Sequence, residues 1–316
     1  MSGAQNWFPG HMNKTLKEIE QLIGIVDVVV EVIDARAPYS SQNPLFRNLL
    51  KNKVVVYVIS KIDLANPLAT KEWITHFQKQ GDYFLLVEKT SQNLTNELVE
   101  IINKATTKAR KKQNQKGIIN PQLNALIIGL PNVGKSTFIN KIVKNKRVKA
   151  GNKPGLTRGM QRIVLTRNIT LIDTPGIMPS KIPNESTATN LVLINAVKED
   201  VFPRERMAAR AMRYVFNNYA DRVKEVYQTR LNFLPPIEIK DTYRIFEKIA
   251  KKNKWVVLDD VYDVERVMKV FLRDVQSGKL GRISYETPEL IAQLEVDPNK
   301  EELEQSENKD DVSSEW

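Results

Sequence analysis

The 316-residue sequence contains no cysteine and only two histidines. The first absence excludes disulfides, thiolate zinc sites and cysteine nucleophiles, and the second leaves little for a histidine-built metal site. No apolar run approaches the roughly 18 residues of a membrane span, and residues 1–14 lack the charged-then-apolar layout of a signal peptide. The composition therefore predicts a soluble cytoplasmic protein without membrane contact, and the length suggests about two domains.

Acidic residues are missing from a long internal segment. Residues 101–172 contain sixteen lysines and arginines and no aspartate or glutamate. A solvated basic face is the ordinary interpretation of one charge run, but a stretch of this length favours a polyanion such as RNA. Two later groups could either grip phosphates or be solvated. They are the arginines Arg206, Arg210 and Arg213, and the lysines Lys248, Lys251, Lys252 and Lys254 beside Trp255.

A glycine-containing octapeptide is the most informative motif that is present. Residues 129–136 read Gly-Leu-Pro-Asn-Val-Gly-Lys-Ser, they follow the apolar run 125–128, and a helix is predicted after them. This context is typical of a phosphate-binding loop, whose backbone N–H groups surround phosphate oxygens while a lysine reaches the terminal phosphates. The alternative is a plain glycine turn. The predicted nucleotide contacts are Asn132, Val133, Gly134, Lys135, Ser136 and Thr137, with the Ser136 hydroxyl on Mg²⁺.

A second motif, Asp173-Thr174-Pro175-Gly176, follows the short β-like run 169–172. Many guanine-nucleotide switches carry a magnesium-linked aspartate and a γ-phosphate-sensing glycine in this form. Asp173 is expected to hold Mg²⁺ through a water, and the Gly176 amide to bond the γ-phosphate. An isolated tetrapeptide of this kind is a common turn, so the interpretation depends on its position after the phosphate loop.

A third motif precedes the phosphate loop. The apolar run 54–59 is followed by Ser60-Lys61-Ile62-Asp63, which is similar to the guanine-selecting Asn-Lys-x-Asp motif with serine in first place. A carboxylate at Asp63 can accept from both N1–H and N2–H of guanine, whereas adenine offers no such pair, so guanine is predicted over adenine. Lys61 is expected to pack its stem on the base. Ser60 is expected to tie this loop to the phosphate loop less well than the longer asparagine.

The order of these motifs is circularly permuted. In ordinary switch GTPases the phosphate loop comes first, whereas in this chain the base motif comes first. In such a permuted chain, the segment 104–122 would join the termini of the ordinary fold, and the chain would be cut open just after Gly176. Strands and helices alternate, which predicts an α/β fold with a mostly parallel sheet. The predicted strands are 27–34, 54–59, 83–87, 124–128, 160–166 and 169–173, and the predicted helices 12–23, 43–51, 68–80, 94–111 and 135–144.

The pattern changes to helices after Pro183. Asp260 to Gln276 carries apolar residues at helical spacing, from Val261 to Val275, and this stripe predicts buried core. The predicted domains are 1–180 for the permuted nucleotide-binding domain with its basic linker 104–122, 181–295 for an all-helical RNA-binding domain, and 296–316 for an acidic disordered tail.

The sequence resembles the circularly permuted GTPases of ribosome assembly, in particular the RbgA (YlqF) type that matures the large subunit. The resemblance rests on the permuted motif order, the segment Trp7-Phe8-Pro9-Gly10-His11-Met12, the segment Asp34-Ala35-Arg36-Ala37-Pro38, and the helical C-terminal region. It implies GTP hydrolysis stimulated by the large ribosomal subunit, with GTP-dependent binding to that particle and its rRNA, in a protein expected to be monomeric.

The resemblance also implies roles for single residues. Ile177 occupies the position where many switch GTPases carry a water-orienting glutamine, so His11 is the expected catalytic group. Asn132 matches an asparagine that helps bind K⁺ in related GTPases, and Thr157 is the expected switch threonine on Mg²⁺ and the γ-phosphate. The segment Lys89-Thr90-Ser91 is expected to surround the guanine O6.

Two functions of other kinds remain open on the residues alone. One is a non-catalytic RNA-binding module that uses GTP as a structural ligand, which Ser60 and Ile177 favour. The other is a GTPase that drives RNA modification or remodels an acidic protein partner, although no methyltransferase-like or deaminase motif supports modification.

Overall fold

The chain is described from a computed structural model that covers residues 10–108, 110–111, 121–144, 160–179, 181–197, 201–229, 231–258 and 261–296. Within these ranges the side chains of residues 10–13, 47–48 and 295–296 lie outside the description. The chain divides into two compact units between Asn184 and Glu185. The sequence predicts this boundary at residue 180.

The first unit alternates strands and helices. Its elements are α1 (Gly10–Leu22), a 3-10 turn (Ile23–Ile25), β1 (Val28–Asp34), α2 (Pro44–Leu49), β2 (Val54–Ser60), α3 (Pro67–Gln80), β3 (Tyr83–Leu86), α4 (Leu94–Ala105), β4 (Leu123–Gly129), α5 (Lys135–Lys144), β5 (Gln161–Thr166) and β6 (Ile169–Asp173).

The six strands form one sheet in the order β3-β2-β1-β4-β6-β5. Only the β5–β6 pair at one edge is antiparallel. In this register Asp34 lies opposite Ser60, and Gly129 lies opposite Val32 on the other side of β1. The carboxyl ends of the parallel strands therefore meet along one edge, which is where ligands bind in open α/β sheets.

The centre of the sheet is apolar on both faces. All seven residues of β1 are buried, as expected for a parallel strand covered on both sides. Helix α4 contacts β2, β3 and α5, and α3 contacts β3. Helix α3 is capped at both ends. The Asn66 side chain accepts from the Leu68 N–H at its start, and Gly81, left-handed at φ 73°, ends it.

The second unit is helical. It contains α6 (Glu185–Leu193), α7 (Arg204–Tyr227), α8 (Ile239–Asn253), α9 (Val264–Ser277) and α10 (Pro288–Val296). Helix α9 contacts α6, α7 and α8, and its apolar stripe supplies the shared core. Phe271 of α9 meets Phe246 of α8 with ring centroids 5.7 Å apart. Among the described residues, no helix is both long and apolar enough to cross a membrane.

The predicted fold class is confirmed, and two element predictions are wrong in detail. The helix predicted over 94–111 is interrupted at Thr106, which leaves helical geometry at φ −95° and ψ 4°, and residues 107–108 and 110–111 are helical again. Val261 is not part of the buried stripe. It is 62% exposed and lies before α9, in a turn closed by the Val257 N–H donating to the Val261 carbonyl.

Candidate functional site

The phosphate loop joins β4 to α5 at the middle of the sheet edge. Asn132 has φ 58° and Gly134 has φ 102°, so the loop turns through two left-handed residues before the helix begins at Lys135. Gly129 lies so close to β1 that an added Cβ would be 2.8 Å from the Val32 carbonyl oxygen. The start of the loop is therefore fixed against the neighbouring strand.

Lys135 connects the phosphate loop to the Asp-Thr-Pro-Gly motif. Its amine lies 2.6 Å from Asp173 Oδ1 and also donates to the Thr174 carbonyl. Both charged side chains are buried, and the geometry places the lysine between the loop and the carboxylate. To reach a terminal phosphate, the amine has to exchange these acceptors for phosphate oxygens.

The residues around Lys135 fit a magnesium ion that binds together with a nucleotide. The Ser136 hydroxyl is exposed at the start of α5, and Asp173 ends the neighbouring β6. Oxygen donors of this kind suit Mg²⁺, which commonly takes one or two protein ligands and completes its shell with phosphates and waters. No described group of three or more acidic or histidine residues could hold a metal by itself. When bound, Mg²⁺ neutralises charge on the β- and γ-phosphates.

The base motif contacts the phosphate loop directly. The Ser60 hydroxyl lies within bonding distance of the Val133 carbonyl and 3.0 Å from the Ile33 carbonyl. The Lys61 amine donates to the Asn132 carbonyl at 2.6 Å. Serine is therefore long enough to tie the two loops, and the expectation that it ties them less well than asparagine stays a prediction.

Asp63 and the segment 89–91 are the residues expected to surround the base. Asp63 lies, partly exposed, in the turn after β2. The Lys141 amine of α5 donates to the carbonyls of Glu88 and Lys89 at 2.6 and 2.7 Å, which holds the segment against the helix that follows the phosphate loop. The Thr90 hydroxyl donates to the Glu88 carboxylate, and the Ser91 hydroxyl accepts from the Glu88 backbone N–H.

Gly176 and Ile177 pack tightly beside the phosphate loop. An added Cβ on Gly176 would lie 3.0 Å from the Pro131 nitrogen, so only glycine fits without movement. Ile177 is 1% exposed, its N–H donates to the Gly129 carbonyl, and its carbonyl accepts from Asn43 Nδ2 at 2.8 Å. An apolar, buried side chain in this position cannot orient a water.

Sequence reasoning gave no site role to Asp34, Asn43 or Lys141. Asp34 is fully buried at the end of β1, and it bonds both Arg36 and Lys61. Burial alone raises the pKa of its carboxyl, but the charge and hydrogen bonds of Arg36, followed by those of Lys61, outweigh burial and hold the pKa below its ordinary value. A polar residue at a strand end was the available signal for Asp34.

Some predicted site residues lie outside the description. Thr157 belongs to 145–159, and the Trp7-Phe8-Pro9 part of the N-terminal motif belongs to 1–9. His11 lies in the first turn of α1, but its side chain is not among those described. The described residues bring together the base motif, the segment 89–91, the phosphate loop and the Asp-Thr-Pro-Gly motif.

Comparisons with known proteins agree with this geometry. Residues 124–258 match the family model described as 50S ribosome-binding GTPase. Ribosome biogenesis GTPase A of Bacillus pumilus is 32% identical over 90% of this chain and 98% of its own length. The protein of that name from Thermotoga maritima is 29% identical over 93% and 99%. The GNP-bound crystal structure of YlqF from T. maritima, 26% identical, matches with a TM-score of 0.60 over 87% of this chain and 99% of that one.

The parallel sheet, the phosphate loop and the base motif that precedes it define a circularly permuted P-loop GTPase. In the strand order β1 lies between β2 and β4, so the early base motif after β2 and the later phosphate loop after β4 lie at the same sheet edge, where Ser60 and Lys61 contact the loop. With relatives at 32% identity that are covered almost completely, the chain belongs to the ribosome biogenesis GTPase A family. Its reaction is the hydrolysis of GTP to GDP and phosphate.

Proposed function

We propose that this GTPase acts as an assembly factor in late maturation of the large ribosomal subunit, and that it binds the precursor particle and its rRNA when GTP is present. The observation that carries the proposal is the meeting of base motif, phosphate loop and Gly176 at one sheet edge, in a chain that covers 98% of a relative named ribosome biogenesis GTPase A. This role implies action where ribosomes are assembled, in the cytoplasm.

The switch in this proposal is the Gly176 segment. The Gly176 backbone packs on Pro131 of the phosphate loop, so a γ-phosphate bonded by its amide would displace a tightly packed segment. GDP lacks that phosphate and would leave the packing unchanged. A difference between the two nucleotides at this point is the form of signal that switch GTPases use.

Water activation is assigned to His11, because buried Ile177 cannot orient a water. The variant His11→Ala is expected to lose turnover stimulated by large subunits while it keeps its affinity for GTP and GDP. Equal loss of turnover and nucleotide affinity would show that His11 has a structural role instead.

Asn132 is proposed as a ligand of a K⁺ ion that adds positive charge beside the phosphates. Its side chain is exposed in the phosphate loop and its backbone is left-handed at φ 58°. Turnover is expected to fall when K⁺ is replaced by Na⁺ at equal ionic strength, and to become insensitive to this replacement in Asn132→Ala. Equal turnover of the natural protein in both salts would contradict the assignment.

RNA binding is proposed for the basic surfaces. Lys251, Lys252 and Lys254 are exposed at the end of α8. The Arg266 guanidinium lies 4.6 Å from the centroid of the Trp255 ring, so one face of the indole already has a partner. Arg206 and Arg210 both pair with Glu185, which lowers their net charge towards phosphates.

One experiment tests the proposed function as a whole. GTP turnover is measured with and without purified large subunits, alongside co-sedimentation in the presence of GDP or a non-hydrolysable GTP analogue. Stimulated turnover together with pelleting that requires the GTP analogue is expected. Tight pelleting without stimulation would instead favour the GTP-gated RNA-binding module, and no pelleting with either nucleotide would contradict both.

A further inference from the structure

A buried carboxylate at the end of β1 bonds the base motif, and Lys61 of that motif bonds the phosphate loop. Asp34 is 0% exposed, and its oxygens accept from the Arg36 backbone N–H and Nε at 3.0 Å each and from Arg36 Nη2 at 2.9 Å. The Lys61 amine lies 2.9 Å from Asp34 Oδ2. The Ser41 hydroxyl accepts from the Asp34 N–H at 3.0 Å, so the backbone at this strand end is held as well.

Lys61 is fixed at two points by these contacts. Its amine bonds Asp34 on the β1 side and the Asn132 carbonyl, at 2.6 Å, on the phosphate-loop side. Its backbone is left-handed at φ 56°, so the chain turns sharply as it leaves β2. An ammonium group held between two acceptors determines the path of the aliphatic stem, which is the part expected to pack on a purine.

We propose that Asp34 is a positioning residue for guanine nucleotides: it holds the Lys61 amine so that the lysine stem lies under the base and the base loop stays joined to the phosphate loop. Asp34 itself touches no substrate. The proposal rests on the purine-packing role predicted for Lys61, and the test below separates the two.

Charge balance explains why a carboxylate is needed in this position. Arg36 is 2% exposed and Lys61 is the second cation on the same carboxylate. In Asp34→Asn the amide keeps one acceptor but presents N–H donors to two cationic donors, and the ion pairs of Arg36 and Lys61 with this carboxylate are lost. The Lys61 amine then has only the Asn132 carbonyl to hold it.

The test is a double-mutant cycle of Asp34→Asn with Lys61→Met, with dissociation constants of GDP and of a GTP analogue as the readout. Asp34→Asn is expected to weaken both nucleotides about tenfold and equally, because the contact lies on the base side and is charge-assisted. In the Lys61→Met background the same change should weaken binding by less than about twofold, since coupled residues are not additive. Asp82→Asn is the matched control, because Asp82 precedes β3 at the amino ends of the parallel strands, away from the nucleotide loops. It should leave both dissociation constants unchanged.

Three results would overturn the proposal. Equal weakening by Asp34→Asn in both backgrounds would mean that Asp34 supports the fold and does not act through Lys61. Unchanged affinity in Lys61→Met would refute the role of Lys61, and the proposal for Asp34 with it. Selective loss of the GTP analogue would place the effect at the γ-phosphate. If Asp34→Asn does not fold, Asp34→Glu displaces the carboxylate while keeping its charge, and the same cycle applies.

Discussion

Single residues in the phosphate loop are constrained by close approach. Gly134 has a left-handed backbone at φ 102°, and it also lies close to Ser60. An added Cβ would lie 3.1 Å from the Ser60 hydroxyl oxygen. A side chain there would be strained and would also push against the contact between Ser60 and Val133. The loop therefore needs glycine for two independent reasons.

Gly134→Ala is expected to lower the free energy of unfolding by about 1–3 kcal/mol and to weaken GDP binding, because the strain falls on the loop that holds the phosphates. Thermal unfolding and isothermal titration with GDP measure the two effects. Gly24→Ala is the control, since its φ is not positive and nothing lies within 4 Å of an added Cβ. Equal effects of the two variants would contradict the explanation.

Base choice is expected to depend on one residue, Asp63. An asparagine in this position can donate to a carbonyl at C2 and accept from N1–H, which matches xanthine and leaves the guanine N2–H₂ without an acceptor. Asp63→Asn is therefore expected to reverse the preference between XTP and GTP by at least about tenfold, a free-energy change of about 1.4 kcal/mol. Competition binding of the two nucleotides measures it, and an unchanged ratio would show that Asp63 does not contact the base.

At the scale of elements, Asn43 joins the start of α2 to the segment after Gly176. Its side-chain oxygen accepts from Leu45 N–H as the helix cap, while Nδ2 donates to the Ile177 carbonyl. Its own N–H donates to Glu31 of β1 at 3.2 Å. One buried side chain therefore fixes a helix start and the residue that follows the Asp-Thr-Pro-Gly motif.

Asn43→Ser separates these two roles. Serine also caps helices but is too short to reach Ile177, so a buried carbonyl loses its donor at a cost of about 1–3 kcal/mol. Faster hydrogen exchange is expected over residues 174–178, with little change in α2. Asn66→Ser, which alters the equivalent cap of α3, should leave the exchange of 174–178 unchanged. Equal exchange in the two variants would show that the Asn43 contact does not stabilise the segment.

At the scale of the whole molecule, charge is distributed unevenly along the chain. Sixteen basic residues and no acidic ones occupy 101–172, whereas Arg206 and Arg210 of α7 have an acidic partner in Glu185. Exposed lysines at the end of α8 have more freedom to replace counterions on RNA than paired arginines do. Net basicity alone does not identify which surface binds.

Replacement of Lys251, Lys252 and Lys254 by glutamine is expected to reduce the dependence of particle binding on salt. If all three contact phosphates, the slope of log affinity against log salt should become smaller by about 2. Arg206→Gln with Arg210→Gln is the comparison, and it should change the slope less because Glu185 already neutralises part of that charge. The opposite ranking would move the RNA-binding surface to α7.

Much of this protein was predictable from local sequence. The strands, most helices and the permuted order of motifs followed from apolar periodicity and from loop residues whose backbone chemistry is specific, as in the phosphate loop. The position of Val261 was not predictable in this way. Apolar residues at helical spacing begin at Val261, but the helix itself begins only after its cap residue, Asp263. Asp34 and Asn43 were missed for a related reason: the partners that connect them to the nucleotide site, Lys61 and Ile177, are distant in sequence.

The sequence by itself determined the class of fold, the three nucleotide motifs and guanine as the expected base, since each depends on residue type and short spacing. Only the tertiary structure decided how those motifs are held together. Strand register places Asp34 beside Ser60, and this brings a buried carboxylate to Lys61 and a serine hydroxyl to Val133. Such contacts depend on which strands are neighbours, and hydrogen bonds and ion pairs act only over the few ångströms that folding creates.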